Sequence, residues 1–338
     1  MSCQVPLIGL TLWRYRVALR QPLSLGQFTL FHREGLLLEW QVEDQRIIWS
    51  EVSPLPGFST HGLEQCSRQL QDLLQGPGTL EQRLDTDRLD RAELCPEVRF
   101  GLESGRLQGS TPLAPARDLP RCRLLRHDAD LDTLPRDPCI KLKVGRASVA
   151  VDGQRIRHLT GRLQGDQRLR LDANRSWTLD QARSLSDTMD ARRVEFIEEP
   201  LLPGSDYAGW FAATGLPFAW DETLREASPE TLDSRLDTPG LAALVIKPML
   251  TGLERSQAWV SAARRRGLVV VLSAAYESNL TLDLYARLAD HWGLTGPQGL
   301  DTFAPFTHAL IEPIRSQPEH ARRPVLRRDD LDCLGHWT

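Results

Sequence analysis

RLRLDAN, residues 168–174, runs an apolar, strand-like segment into a single acid, Asp172. Four other segments are built the same way: KLKVG around Lys143, EFIEEP around Glu198, FAWDET around Asp221 and LVIKPM around Lys247. These charged residues recur about every 25 positions, and helix-like sequence follows most of them. The rhythm predicts parallel strands joined by helices, with a lysine, three carboxylates and a second lysine at one rim.

Strand candidates are Cys139–Val144, Leu169–Ala173, Val194–Glu198, Phe218–Asp221, Leu244–Lys247, Val269–Ser273 and a more weakly patterned Leu300–Phe303. Helical candidates are Val149–Leu163, Leu179–Ala191, Leu253–Arg266 and Leu280–Trp292. The runs VVVL and ALVI are too uniformly apolar for strands with one face in water, and they suit a parallel sheet buried on both faces. Repeated units with short connections predict an α/β fold, a (β/α)7β TIM-like barrel, over an open doubly wound sheet. No GxGxxG or Walker-type glycine loop follows the first strand.

The first hundred or so residues differ in character. Leu10–Ala18, Gly35–Val42 and Gln45–Glu51 read as short antiparallel strands, and Leu63–Leu74 and Glu97–Leu107 as helices. Between them, the prolines and glycine of SPLPGFS (Ser53–Ser59) predict a rigid loop. The expected organisation is an α+β capping domain over 1–115, a barrel over 116–310, and a tail over 311–338 that joins the cap.

Forty-one basic residues are offset by 45 acidic ones, and the net charge of −4 gives no reason to expect nucleic acid or an anionic membrane as partner. No stretch approaches the ~18 apolar residues that span a bilayer. The six cysteines form no CxxC pair and have no metal-ligand spacing with histidine, so reduced thiols in a cytoplasmic protein are expected. None of the eight histidines ends a barrel strand. Oligomeric state is left open.

Residues i and i+2 of a strand share a face. Lys141 therefore joins Lys143, and Arg170 and Asn174 join Asp172. In EEP, Glu198 is read as inward and Glu199 as outward. Asp172, Glu198 and Asp221 then converge from three successive strands, and such carboxylates repel one another unless protonated or metal-bound. An all-oxygen site suits Mg²⁺, with Mn²⁺ as substitute. A second cation beside Lys143, whether Lys141 or the metal, favours its neutral amine and hence a general base. Lys247, four strands along, faces it. Ser273 is placed to hydrogen-bond a substrate carboxylate.

These residues resemble the enolase superfamily, and within it the muconate-lactonizing-enzyme branch: a KxK lysine pair (Lys141, Lys143), then metal-binding Asp172, Glu198 and Asp221, then a lysine, Lys247. The strings SEVSPLPGFS, LRLDANRSW, AWDETLRE, VIKPMLTG and GLDT are similar to those of branch members that eliminate water from a small succinyl-hydroxycyclohexadiene carboxylate, a step toward menaquinone or phylloquinone. The resemblance implies Lys143 as acid/base and Lys247 as its charged counterpart. It also implies a cap in which Pro54–Phe58 closes over the barrel mouth and Pro22–Phe28 forms a mobile loop. SAAYES departs from a serine run common in the family. A dipeptide epimerase, an N-acylamino-acid racemase and a non-catalytic metal-binding barrel are the alternatives.

Overall fold

Strands of two kinds separate into two sheets, one antiparallel and one parallel. The computed structural model describes residues 6–111, 113–115, 118–126, 134–227, 233–311 and 324–338. The expected boundaries at 115/116 and 310/311 thus lie next to residues outside those described.

The antiparallel sheet has the order β11-β1-β2-β3, with β1 at Leu7–Leu25, β2 at Phe28–Val42, β3 at Ile47–Val52 and β11 at Asp332–Trp337. The C-terminal strand therefore lies beside the N-terminal one, with Leu10 opposite Trp337. Leu10, Leu12, Leu36, Leu38 and Trp40 are buried under the helices Leu63–Gln75 and Pro96–Ser110. The second helix lies so close to the sheet that a Cβ on Gly105 would meet Trp40 at 2.2 Å.

The hairpin of β1 and β2 is longer than its sequence suggests. The Pro22–Phe28 stretch, expected as a loop, is the hairpin's end: Leu23 pairs with Leu30 and Leu25 with Phe28 across a turn at Gly26. A register shift between Ala18 and Leu23 takes up Pro22, which cannot donate to the ladder. The polar sequence on either side lacks the alternation that marks a half-buried strand.

The parallel sheet has the order β10-β9-β8-β7-β6-β5-β4. Its members are β4 (Cys122–Leu125), β5 (Cys139–Lys143), β6 (Arg168–Asp172), β7 (Val194–Glu198), β8 (Phe218–Trp220), β9 (Leu241–Ile246) and β10 (Val269–Leu272). β4 was hidden in sequence because it is four residues long and interrupted by Arg123. The strand expected at Leu300–Phe303 is not formed. Instead Gln298 bridges to Arg121 and Gly299 to Ser273, so this short segment spans the gap between the sheet's two end strands. Its hydrogen bonds are those of a strand: Cys122 donates to the Gln298 carbonyl at 3.0 Å and Gly299 to that of Leu272 at 2.8 Å. Beyond it the chain turns, with the Thr302 N–H on the Leu300 carbonyl.

Three helices packed around this sheet begin on hydroxyl caps. Ser148 accepts from Val151, Thr178 forms a reciprocal capping box with Gln181, and Ser278 accepts from Leu280. Inside the barrel, Phe196, Ala219, Ala243, Val245 and Val271 form a small apolar cluster.

β5 ends in a turn that fixes the lysine pair. Val144 donates to the Asp172 carbonyl at 2.9 Å. Gly145 then takes φ +78°, and a Cβ there would meet Ser176 Oγ at 1.8 Å. Gly145→Ala should therefore lower the unfolding free energy by about 1–3 kcal/mol, read from the urea midpoint. A variant as stable as the wild type would show that this turn relaxes freely.

Candidate active site at the barrel mouth

The five strand-end residues meet at the C-terminal rim, where side chains from successive strands converge. Lys141 Nζ lies 2.5 Å from Glu198 Oε2 and 2.9 Å from Asp172 Oδ2. Lys143 Nζ lies 3.0 Å from the same Asp172 oxygen and donates to Asn174 Oδ1 at 3.1 Å. Across the barrel, Lys247 is paired with Asp221. Asp172, Glu198 and Asp221 are all buried.

Electrostatics favour the charged forms of Asp172 and Lys141. Burial alone would raise the Asp172 carboxyl, but the ammonium groups of Lys141, Lys143 and Lys247 outweigh it and keep it below the usual carboxylate range. Burial would likewise lower Lys141, yet the charges of Asp172 and Glu198 hold it well above the ordinary lysine value. Glu198 is pushed upward, by loss of water first. Asp172 Oδ1 is buried and accepts no hydrogen bond. An orphaned carboxylate oxygen beside two further carboxylates is the donor set a hard divalent cation takes.

Backbone geometry behind the acids is held by Asn174 together with Glu199, Arg175 and Glu222, which sequence reading missed. Glu199, read as merely outward, accepts from the Asp221 N–H at 3.0 Å, the Thr223 N–H at 2.7 Å and Arg175 Nε at 3.2 Å. It thereby ties the end of β7 to the backbone of Asp221. Asn174 and Arg175 both have positive φ, 45° and 59°, which turns the Asn174 side chain toward Lys143. Asn174 also donates to Glu222 at 3.2 Å. Burial, then the charge of Asp221, pushes the Glu222 carboxyl up to about 7. Its place in WDET beside Asp221 was the available signal.

A cavity of about 90 Å³ is lined by Lys141, Lys143, Asp172, Asn174, Asp221, Lys247 and Ser273. Its roof comes from the antiparallel domain: Leu25 and Gly26 at the hairpin tip, and Leu55 and Phe58 of SPLPGFS. Leu25, Leu55, Leu250 and Ala275 are buried together, with Phe58 and Tyr276 against them. Pro54 is one step removed, its carbonyl accepting from Arg33 at 2.9 Å. Arg170 is not at the mouth. It lies deeper in the barrel, donating to Glu195 at 2.9 Å and to the Pro297 carbonyl at 2.8 Å, with its guanidinium 4.8 Å from the Phe196 ring centre. The i, i+2 rule placed it on the correct face, but two residues along a strand is a different depth.

The loop after β10 is set by Glu277, which accepts from the Ala275 N–H at 2.5 Å and the Tyr285 hydroxyl at 3.2 Å. Burial, aided by the nearby Glu51 charge, raises its carboxyl to about 7. An unfolded chain releases that proton near ~4.3. The folded chain therefore holds more protons between about pH 4.5 and 7, and stability falls as pH rises through that window. Glu277→Gln should remove this loss, so its urea midpoint should gain on the wild type from about pH 5 to about pH 7. Parallel profiles for the two proteins would contradict the assignment.

The fold and site define a class. The family described as "Enolase C-terminal domain-like" matches residues 138–295, and "MenC, N-terminal domain" matches residues 9–108. The o-succinylbenzoate synthase of Yersinia enterocolitica is 33% identical over 336 residues, covering 96% of this chain and 98% of that protein. That of Edwardsiella ictaluri is 35% identical over 339 residues with the same coverage. The chain belongs to the o-succinylbenzoate synthase family of the enolase superfamily.

Solved structures agree on the fold. The o-succinylbenzoate synthase of Thermosynechococcus elongatus BP-1, complexed with Mg in its active site, superposes with a TM-score of 0.74 at 24% identity, covering 92% of this chain and 98% of that one. A dipeptide epimerase from Enterococcus faecalis V583, complexed with Mg and L-Leu-L-Tyr, gives 0.78 at 15% identity, covering 98% of each chain.

Proposed function

We propose that this chain is an o-succinylbenzoate synthase, a hydro-lyase that removes water from 2-succinyl-6-hydroxy-2,4-cyclohexadiene-1-carboxylate to give the aromatic 2-succinylbenzoate. What supports this reading is that Lys143 and Lys247 line one covered cavity from strand ends separated by three intervening strands, in a chain related over nearly its whole length to enzymes of that name. In this reading residues 1–115 and 311–338 make the cap and 116–310 the barrel.

Asp172, Glu198 and Asp221 would hold Mg²⁺, with Mn²⁺ as a substitute; the orphaned Asp172 Oδ1 supports this. When bound, the ion supplies positive charge against the substrate carboxylate. Lys143 takes the proton α to that carboxylate. Its neighbour Asn174, with the Asp172 carboxylate, fixes the position of the amine. The same lysine then returns the proton to the departing hydroxyl, which requires both events on one face. Lys247, from the opposite side, offsets the negative charge that develops on the substrate. Ser273 presents a hydroxyl to the carboxylate. Leu25, Leu55 and Phe58 exclude water from above.

Adding Mg²⁺ and the cyclohexadiene substrate should yield the aromatic product, and excess EDTA should abolish turnover. Full activity in EDTA would end the metal assignment. Lys143→Ala should lower the rate by about 10²–10⁴-fold, the usual loss for a general acid/base. Lys247→Arg keeps the charge and should retain part of the activity.

The opposed lysines also fit a two-base racemisation of an N-acylamino acid or dipeptide. Exchange of solvent deuterium into both enantiomers of an N-acylamino acid, without dehydration of the cyclohexadiene, would select that reading instead.

A further inference from the structure

In the antiparallel domain, His61, Cys95 and Glu97 bring a ring nitrogen, Sγ and a carboxylate oxygen within 4.8 Å of one another. Two of these residues each carry a buried atom without a hydrogen-bond partner: His61 Nδ1 and Glu97 Oε2. Glu97 itself is only 2% exposed. An unpaired buried polar atom costs roughly 1–3 kcal/mol, so two within one cluster call for a common partner. Cys66 Sγ lies 3.5 Å from Cys95 Sγ, a gap that a single ion about 2.3 Å from each sulfur spans.

None of these residues belongs to the barrel site, and their sequence spacing shows nothing: His61 precedes the helix Leu63–Gln75, Cys66 lies within it, and Cys95 caps the helix Pro96–Ser110. The start of a helix favours a thiolate. The Cys95 thiol is held below its ordinary value, first by the hydrogen bond to Cys66 and also by the Val98 N–H. Thiolate, imidazole and carboxylate together suit zinc and disfavour Mg²⁺.

We propose that His61, Cys95 and Glu97, with Cys66 beside them, form a structural zinc site that fastens the end of the capping loop to the cap's helices. His61 is two residues past SPLPGFS. That loop is already held from the barrel side, where Arg225 donates to the Phe58 carbonyl at 2.8 Å. A zinc ion would fix its other end.

Cobalt distinguishes this site from the barrel's, because only a sulfur ligand gives a near-ultraviolet thiolate-to-cobalt charge-transfer band. Full-length protein, stripped of metal and kept reduced, is titrated with Co²⁺ in excess Mg²⁺. One equivalent should produce the band, and Zn²⁺ should remove it while raising the melting temperature. Cys95→Ser should lose both the band and the zinc-dependent shift. His61→Ala, a change at a half-buried position, should weaken cobalt binding at least about tenfold, the effect of losing ~1.4 kcal/mol. Both variants should keep Mg²⁺-supported turnover. A wild type without the band, or a band undiminished in Cys95→Ser, overturns the proposal.

Discussion

Three buried carboxylates brought to one point repel one another, and everything near the barrel mouth answers that repulsion. Lys141 bridges Asp172 and Glu198, Lys143 returns to Asp172, and Lys247 pairs with Asp221. The arrangement is nearly balanced in charge but incompletely satisfied, since Asp172 Oδ1 accepts nothing. Low dielectric makes each of these interactions stronger than in water. It also makes the removal of any one partner costly, because the remaining charge is left buried.

The cluster is covered by the antiparallel domain, and that cover is joined to the barrel by a second buried polar seam. Arg33, from β2, donates to the carbonyls of Pro54 at 2.9 Å and Tyr276 at 2.9 Å and to Ser53 Oγ at 2.6 Å. It thereby fixes the capping loop against the loop after β10. Glu51, from β3, accepts from Ser278 Oγ and Thr281 Oγ1, each at 2.6 Å, and from Tyr15. Buried hydrogen-bonded charges of this kind specify one docking geometry. Here that geometry puts Leu55 and Phe58 over the lysines.

Much of the barrel was readable because a parallel strand buried on both faces leaves a continuous apolar run, and a charge at its end is conspicuous. Val194–Glu198 was delimited in sequence as it stands in the structure, and the neighbouring strands within a few residues. Reading failed where the pattern was too short or too polar. Four-residue β4 escaped notice, the closing segment at Gln298–Gly299 was placed two residues late, and the hairpin tip looked like a loop. Strand parity gave the face of Arg170 but not its depth, because depth is set by how neighbouring strands are staggered.

By itself the sequence determined the alternation of strand and helix, the charged residue at each strand end, and the separate character of the first hundred or so residues. These are local properties, written in hydrophobic period and residue type. Only the tertiary structure decided which groups touch. It made Lys141 the bridge between two acids, turned Glu199 into the support of Asp221, and brought His61, Cys66, Cys95 and Glu97 together from separate segments. The reason is physical: a contact between distant residues depends on how sheets, helices and loops pack, and no periodicity along the chain records that.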